Sequence, residues 1–296
     1  MVDASTATAS APAAVAAAPP ARRRRSWPAT LVWGTAGIAA VLAFALVGAV
    51  WTPHPYDGMN ISARFAAPSA TYWLGTDEFG RDVLSRVMAG AHLSLFMGAF
   101  ATFISLAVGV PLGLIAGYFR GLREEVIMRA VDVMISIPPI MLGLLILAVT
   151  TPDIWKSAGA VGLIYVPIIV RLTRGVTLEL GAQEFIEAAR ARGERDWYIL
   201  FVEILPNAWP PIIVEAALRV TFAILLGAAL SFLGLGVQPP ASDWGLMIAE
   251  GRPFLSQAPW IAIAPGVALV VTVILINLFG DGLRERLDPR LRQKGA

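Results

Sequence analysis

Long uncharged runs alternate with short charged segments along this chain. Residues 29–51 carry no charge, and 91–118 carry none apart from His92. The run 131–150 contains only Asp132, close to its start, and 260–279 is free of charge. Two runs are less regular: 158–170 is short and reaches spanning length by borrowing neighbours, and 208–237 is long but holds Glu215 and Arg219. At 1.5 Å per residue the first run covers about 34 Å, enough to cross the hydrocarbon core of a bilayer. The pattern predicts an all-α integral membrane protein with six transmembrane helices and both termini on one side. It divides the chain into a first helix at 29–51, an outer loop at 52–90, a five-helix domain at 91–281 and a C-terminal tail at 282–296.

Composition agrees with a bilayer. Of 296 residues 57% are hydrophobic and 15% charged, where a soluble domain carries roughly a quarter charged. The N-terminal tail, 1–28, is mostly Ala, Pro, Ser and Thr and is expected to be disordered. It ends in Arg22, Arg23, Arg24 and Arg25, which hold it in the cytoplasm. The run at 29–51 is too long for a cleavable signal peptide.

Charge placement sets the orientation. With the N-terminus inside, the cytoplasmic segments collect Arg22–Arg25, Arg120, Arg123, Arg129, Arg171, Arg174, Arg190, Arg192, Arg195, Arg284, Arg286, Arg290, Arg292 and Lys294. The outer segments hold only Arg64, Arg81, Arg86, Lys156 and Arg252. Seventeen against five satisfies the positive-inside rule, and removing one span would spoil it. The weak run at 158–170 is thereby supported as a helix. Prolines and glycines inside the runs, such as Gly98, Gly109, Pro111, Gly113, Gly117, Pro138 and Pro139, suit close helix packing or kinks that permit gating.

The polar stretch 171–207 is too long for a tight turn. Within it, residues 183–192 favour a helix that stops at Gly193. Phe185, Ile186, Ala188 and Ala189 give it an apolar and small surface, and Glu184, Glu187, Arg190 and Arg192 supply charge. Such a helix either meets another protein or lies on the headgroups. Elsewhere, Glu215 and Arg219 sit one helical turn apart and can pair. Either they line a translocation path or they satisfy each other near the cytoplasmic mouth. Thr76 or Asp77 is expected to cap a short surface helix carrying Val83, Leu84, Val87 and Met88. Asp132 is expected to pair with Arg129.

Several chemistries find no support. There is no cysteine for a disulfide, a thiolate metal site or a nucleophile, and the two histidines, His54 and His92, lie far apart in sequence. Neither lysine, Lys156 or Lys294, sits in a phosphate-binding glycine loop, so the expected catalytic and metal residues are none.

Glu187, Ala188, Ala189 and Gly193, followed by Leu205 and Pro206, resemble the EAA signature of permease subunits of bacterial ABC importers. The likeness extends through Leu74-Gly75-Thr76-Asp77, the run 80–86 reading GRDVLSR, the run 229–236 reading ALSFLGLG, Trp244-Gly245, Pro259-Trp260, Pro265-Gly266 and the run 277–290. These are similar to the C-subunit type of the dipeptide, oligopeptide and nickel branch. Departures are Glu203, where the family has isoleucine or histidine, Gly227, where glutamate is frequent, and Arg219 within the fifth span. The resemblance implies a type I importer-permease fold and a coupling helix gripped by an ATPase. It implies as partners a second homologous permease chain, two ATP-binding subunits, a periplasmic or lipid-anchored substrate-binding protein and membrane lipid, with no nucleic acid. ATP and Mg would belong to the ATPase partners, and this chain would hold no cofactor. The implied cargo is a dipeptide or oligopeptide; a nickel chelate, glutathione or another small solute is the alternative. A stand-alone secondary transporter or membrane enzyme and a structural scaffold are the rivals outside that class.

Overall fold

The computed structural model describes residues 28–287. The arginine-ended tail at 1–27 and the last residues of the C-terminal tail, 288–296, lie outside them. The described residues are helical: α1 (Ala29–Val50), α2 (Val83–Phe119), α3 (Gly121–Ser136), α4 (Pro139–Leu147), α5 (Ile154–Gly181), α6 (Glu184–Ala191), α7 (Asp196–Tyr198), α8 (Leu205–Phe232), α9 (Trp244–Gly251) and α10 (Trp260–Leu287). A π-helical turn, Ile199–Ile204, joins α7 to α8.

Five of the runs form helices long and apolar enough to cross a membrane, among them α1, α2, α5 and α10; the fifth runs from α7 into α8. The sixth span differs from the expectation of one helix over 131–150. In its place α3 and α4 meet at 94°, a bent pair that together is long and apolar enough for a sixth span. Two consecutive prolines explain the break, because Pro138 and Pro139 cannot donate to the preceding turn and push Ile137 into an extended conformation (ψ 128°).

Small residues set the helix spacing. Along α2, Gly109, Gly113 and Gly117 recur every fourth residue and face Ile169, Thr173 and Thr177 of α5. A methyl group on Gly113 would come within 2.5 Å of Thr173 Cβ. In return, Gly162 of α5 receives Ile104 of α2: a Cβ added to the glycine would lie 2.7 Å from Ile104 Cβ. In a bilayer no hydrophobic force drives helices together, so this close van der Waals fit holds α2 on α5. Gly34 and Gly282 likewise bring α1 against α10.

Two ends of the bundle are elaborated differently. At one, the cap end, residues 60–82 and α9 fold over the start of α2. At the other, called the coupling end for the resemblance its sequence carries, α6 and the π-helical turn pack under α2, α5 and α8.

Candidate functional site

At the cap end the sequence-level expectation of a surface helix is corrected. Val83, Val87 and Met88 are buried and form the first turns of α2 itself. The cap is Asp82, whose carboxylate accepts from Ser85 N at 3.0 Å and from Ser85 Oγ at 2.6 Å. Thr76 instead ties the loop together, donating to Ala63 O and accepting from Ala66 N at 2.8 Å. Asp77 is fully buried and accepts from Phe79 N and Arg81 N at 2.8 and 2.9 Å.

Asp77 also anchors an ionic network. Arg81 Nε lies 2.6 Å and Arg86 Nη1 2.8 Å from its Oδ2, and Arg86 Nη2 reaches Glu250 Oε2 of α9 at 2.6 Å. Glu78 lies 3.5 Å from Arg81. Burial pushes the Glu78 carboxyl above its ordinary 4.5, and the charges of Asp77 and Glu250 add to the rise. Two tryptophans close the cap: Trp260 Nε1 donates to Thr76 O at 3.0 Å, and Trp244 Nε1 to Val87 O at 3.0 Å. The motif residues 74–86, Trp244 and Trp260, scattered along the sequence, therefore meet in one joint. Sequence reading missed Glu250, which lies 164 residues from its arginine with no local signal.

At the coupling end α5 continues to Gly181 and α8 starts at Leu205, so the connecting segment is shorter than 171–207. Arg171, inside α5, pairs with Asp132 at 2.7 Å; Asp132 does not pair with Arg129, which meets Glu125 at 3.5 Å. The helix α6 is present as expected. It closes with hydrogen bonds from Glu194 N to Ala189 O (3.2 Å) and Gly193 N to Arg190 O (2.9 Å), and Gly193 adopts φ 76°. This C-terminal lock needs a left-handed residue, which glycine supplies without strain.

The expected apolar surface of α6 divides in two. Ile186 and Ala189 are fully buried among Val110, Leu114, Ile169, Ile199, Ile204 and Ile212. Glu184, Phe185, Glu187, Ala188 and Arg190 are exposed. Burying Ile186 contributes about 1.5–3 kcal/mol to seating α6 on the bundle. Tyr118 at the foot of α2 adds a polar tie, donating to Asp196 at 2.8 Å under the Arg190 guanidinium. Leu205 packs against the same apolar cluster, and exposed Pro206 stands at the second position of α8, directly after the π-helical turn. Glu203, the family departure, sits 3.4 Å from Arg192 and so links the end of α6 to the start of α8.

Within the bundle Glu215 and Arg219 pair as their spacing suggests, Oε1 to Nε at 2.8 Å. The guanidinium carbon lies 4.7 Å from the Phe222 ring centroid and 5.5 Å from that of Tyr165. Phe222 follows Arg219 by three residues on α8, but Tyr165 is not legible in the sequence because it comes from α5.

The described residues thus form a bundle of membrane-length helices with a small helix, one face buried and one exposed, seated on one end. The model of the family described as "binding-protein-dependent transport system inner membrane component" matches residues 109–293, and the chain belongs to that family. It is 42% identical over 255 residues to a dipeptide transport system permease protein DppC of Alkalihalophilus pseudofirmus, covering 86% of this chain and 84% of the relative. A probable D,D-dipeptide transport system permease protein DdpC of Escherichia coli is 36% identical over 281 residues, 92% of this chain and 94% of that protein. A glutathione transport system permease protein GsiD of Pectobacterium atrosepticum is 40% identical over 262 residues, 87% of this chain and 86% of that protein. The inward-facing methionine ABC transporter MetNI has a chain of the same fold, with TM-score 0.58 and 21% identity over 69% of this chain and 96% of that one. The expected type I importer-permease fold is thus present.

Proposed function

We propose that the chain is the permease subunit of an ATP-driven importer that moves dipeptides or oligopeptides across the cytoplasmic membrane. The substrate class rests on the dipeptide permeases among its relatives. The mechanism rests on α6. Its inner face is locked into the bundle by Ile186 and Ala189, while Glu184, Glu187 and Ala188 stand free on the outside. A small exposed methyl lets a partner's backbone approach, and the flanking carboxylates give it charge to recognise.

In this reading α6 lies on the cytoplasmic side, as the arginine distribution favours, and docks on an ATP-binding subunit. Closure of two such subunits around nucleotide pulls α6, and the apolar cluster that holds Ile186, Ile204 and Ile212 passes the motion to α8. A second homologous permease chain completes the pathway, and a substrate-binding protein delivers cargo at the cap end. ATP and Mg stay with the ATPase subunits, and this chain performs no covalent chemistry.

The test is uptake in a strain lacking the gene and complemented with it. Labelled dipeptide should accumulate in an ATP-dependent way, and the chain should co-purify with a nucleotide-binding protein. Uptake of labelled glutathione or nickel with no dipeptide uptake would replace the cargo. Purification of an active transporter free of any nucleotide-binding protein would overturn the whole reading.

A further inference from the structure

The pair inside the bundle has chemistry that packing does not require. Residues 215 and 219 lie near the middle of α8, level with Tyr165 in the middle of α5. Ionised side chains at such a depth face a watery cavity or one another, and they mark transport pathways when they persist. Here the pairing is incomplete. The 2.8 Å contact to Glu215 lies off the N–H axis, so Arg219 Nε is buried without a hydrogen bond. The two side chains remain partly open, at 12% for Arg219 and 19% for Glu215.

The arginine is nevertheless held in place. Tyr165 Oη donates to Phe222 O at 3.1 Å, which fastens α5 to α8 and sets the two rings beside the guanidinium. Cation–π contacts of this kind hold the charge while leaving the N–H edges unspent. A planar guanidinium with free N–H groups matches a carboxylate through two parallel hydrogen bonds. One helical turn away, the Glu215 carboxylate matches an ammonium.

We propose that Glu215 and Arg219 form a zwitterion station on the translocation path, in which Arg219 takes a peptide's terminal carboxylate and Glu215 its terminal ammonium. The inference rests on the peptide reading above. The dimensions agree: side chains four apart on a helix are separated by about 5–6 Å at Cβ, and an extended dipeptide spans about 7 Å. The internal pair opens as the cargo enters and closes behind it, so each charge always has a partner. No net charge is then left in the membrane at either stage.

The experiment measures uptake by the whole transporter, with its own binding protein, of labelled Ala-Ala and of labelled Ala-Ala amide. Because the binding protein is common to all variants, its own preference cancels from the change in ratio. Wild type is expected to favour the free carboxylate. Arg219→Gln should raise KM for Ala-Ala about tenfold while leaving that for the amide within twofold, and Arg219→Lys should recover part of the preference. Equal loss for both peptides, or no change in either, would overturn the station and leave Arg219 as a structural partner of Glu215. Should Arg219→Gln fail to assemble, the double variant Glu215→Gln with Arg219→Gln removes the unpaired charge and is read by the same ratio. Wild-type failure to take up either peptide would instead strike the peptide reading on which the station depends.

Discussion

At the cap end, fully buried Asp77 meets two arginines within 2.8 Å, and both go on to a second carboxylate on α9, at 2.6 and 3.7 Å. At the coupling end, Arg192 and Glu203 meet at 3.4 Å while half of the arginine side chain remains in solvent. The same residue types thus serve opposite purposes. Buried charges are tolerable only when each is paired, and a paired set fixes one geometry strongly. Exposed pairs are worth little, so they leave a surface free to exchange its contacts for those of a partner. The cap is built to stay assembled, whereas α6 has one fixed face and one available face.

The sharpest way to break this contrast is at Asp77. Asp77→Ala takes the shared carboxylate from two buried guanidinium groups, leaving them Glu250 and the longer contact to Glu78, and should cost about 3–5 kcal/mol, seen as loss of folded transporter in a detergent thermal-melting assay. A stable Asp77→Ala protein would mean that Glu250 and Glu78, not Asp77, hold Arg81 and Arg86. Next is the glycine ridge between the two ends. Gly113→Leu must displace Thr173 and should cost about 1–3 kcal/mol, read in the same assay. Gly193→Asp should act mainly on function. The left-handed turn costs an L-residue about 1–2 kcal/mol, so insertion into the membrane is retained while ATP-driven uptake falls on the order of tenfold.

Smaller effects come from the edges of both regions. Glu78 is raised in the folded state, so the cap holds its proton more tightly than the unfolded chain does. That contribution is full below about pH 4.5 and is lost as pH rises through the raised value. Glu78→Gln should therefore raise the melting temperature at pH 7 relative to wild type, with the gain shrinking toward pH 4. Least of all, Arg192→Ala should change stability by no more than about 1 kcal/mol.

Much of this architecture is legible in the residues, and the illegible parts share a cause. The charge-free runs of α1 and α10 show their helices directly, and Glu215 with Arg219 is visible because a helix places residues four apart together. Gly193 announces the end of α6. Pro138 and Pro139 mark the break in the third run, but its 94° angle is hidden because an apolar run reads the same whether its two halves are collinear or folded. Asp132 has Arg129 three residues away, yet tertiary packing brings Arg171 nearer. Glu250 and Tyr165 matter only through chain segments far away in sequence. Ile186 and Ala189 face inward while Ala188 faces out, a division that requires knowing which side of α6 the bundle occupies.

The most direct measurement uses the absence of native cysteine. Ala188→Cys offers a single thiol on the free face of α6. The account predicts that a membrane-impermeant maleimide labels it in inside-out vesicles and not in intact cells. It also predicts that docking of the ATP-binding subunit protects the thiol. Labelling from outside intact cells, or unchanged labelling when that subunit is bound, would contradict the claim that α6 is the grip by which the motor moves the channel.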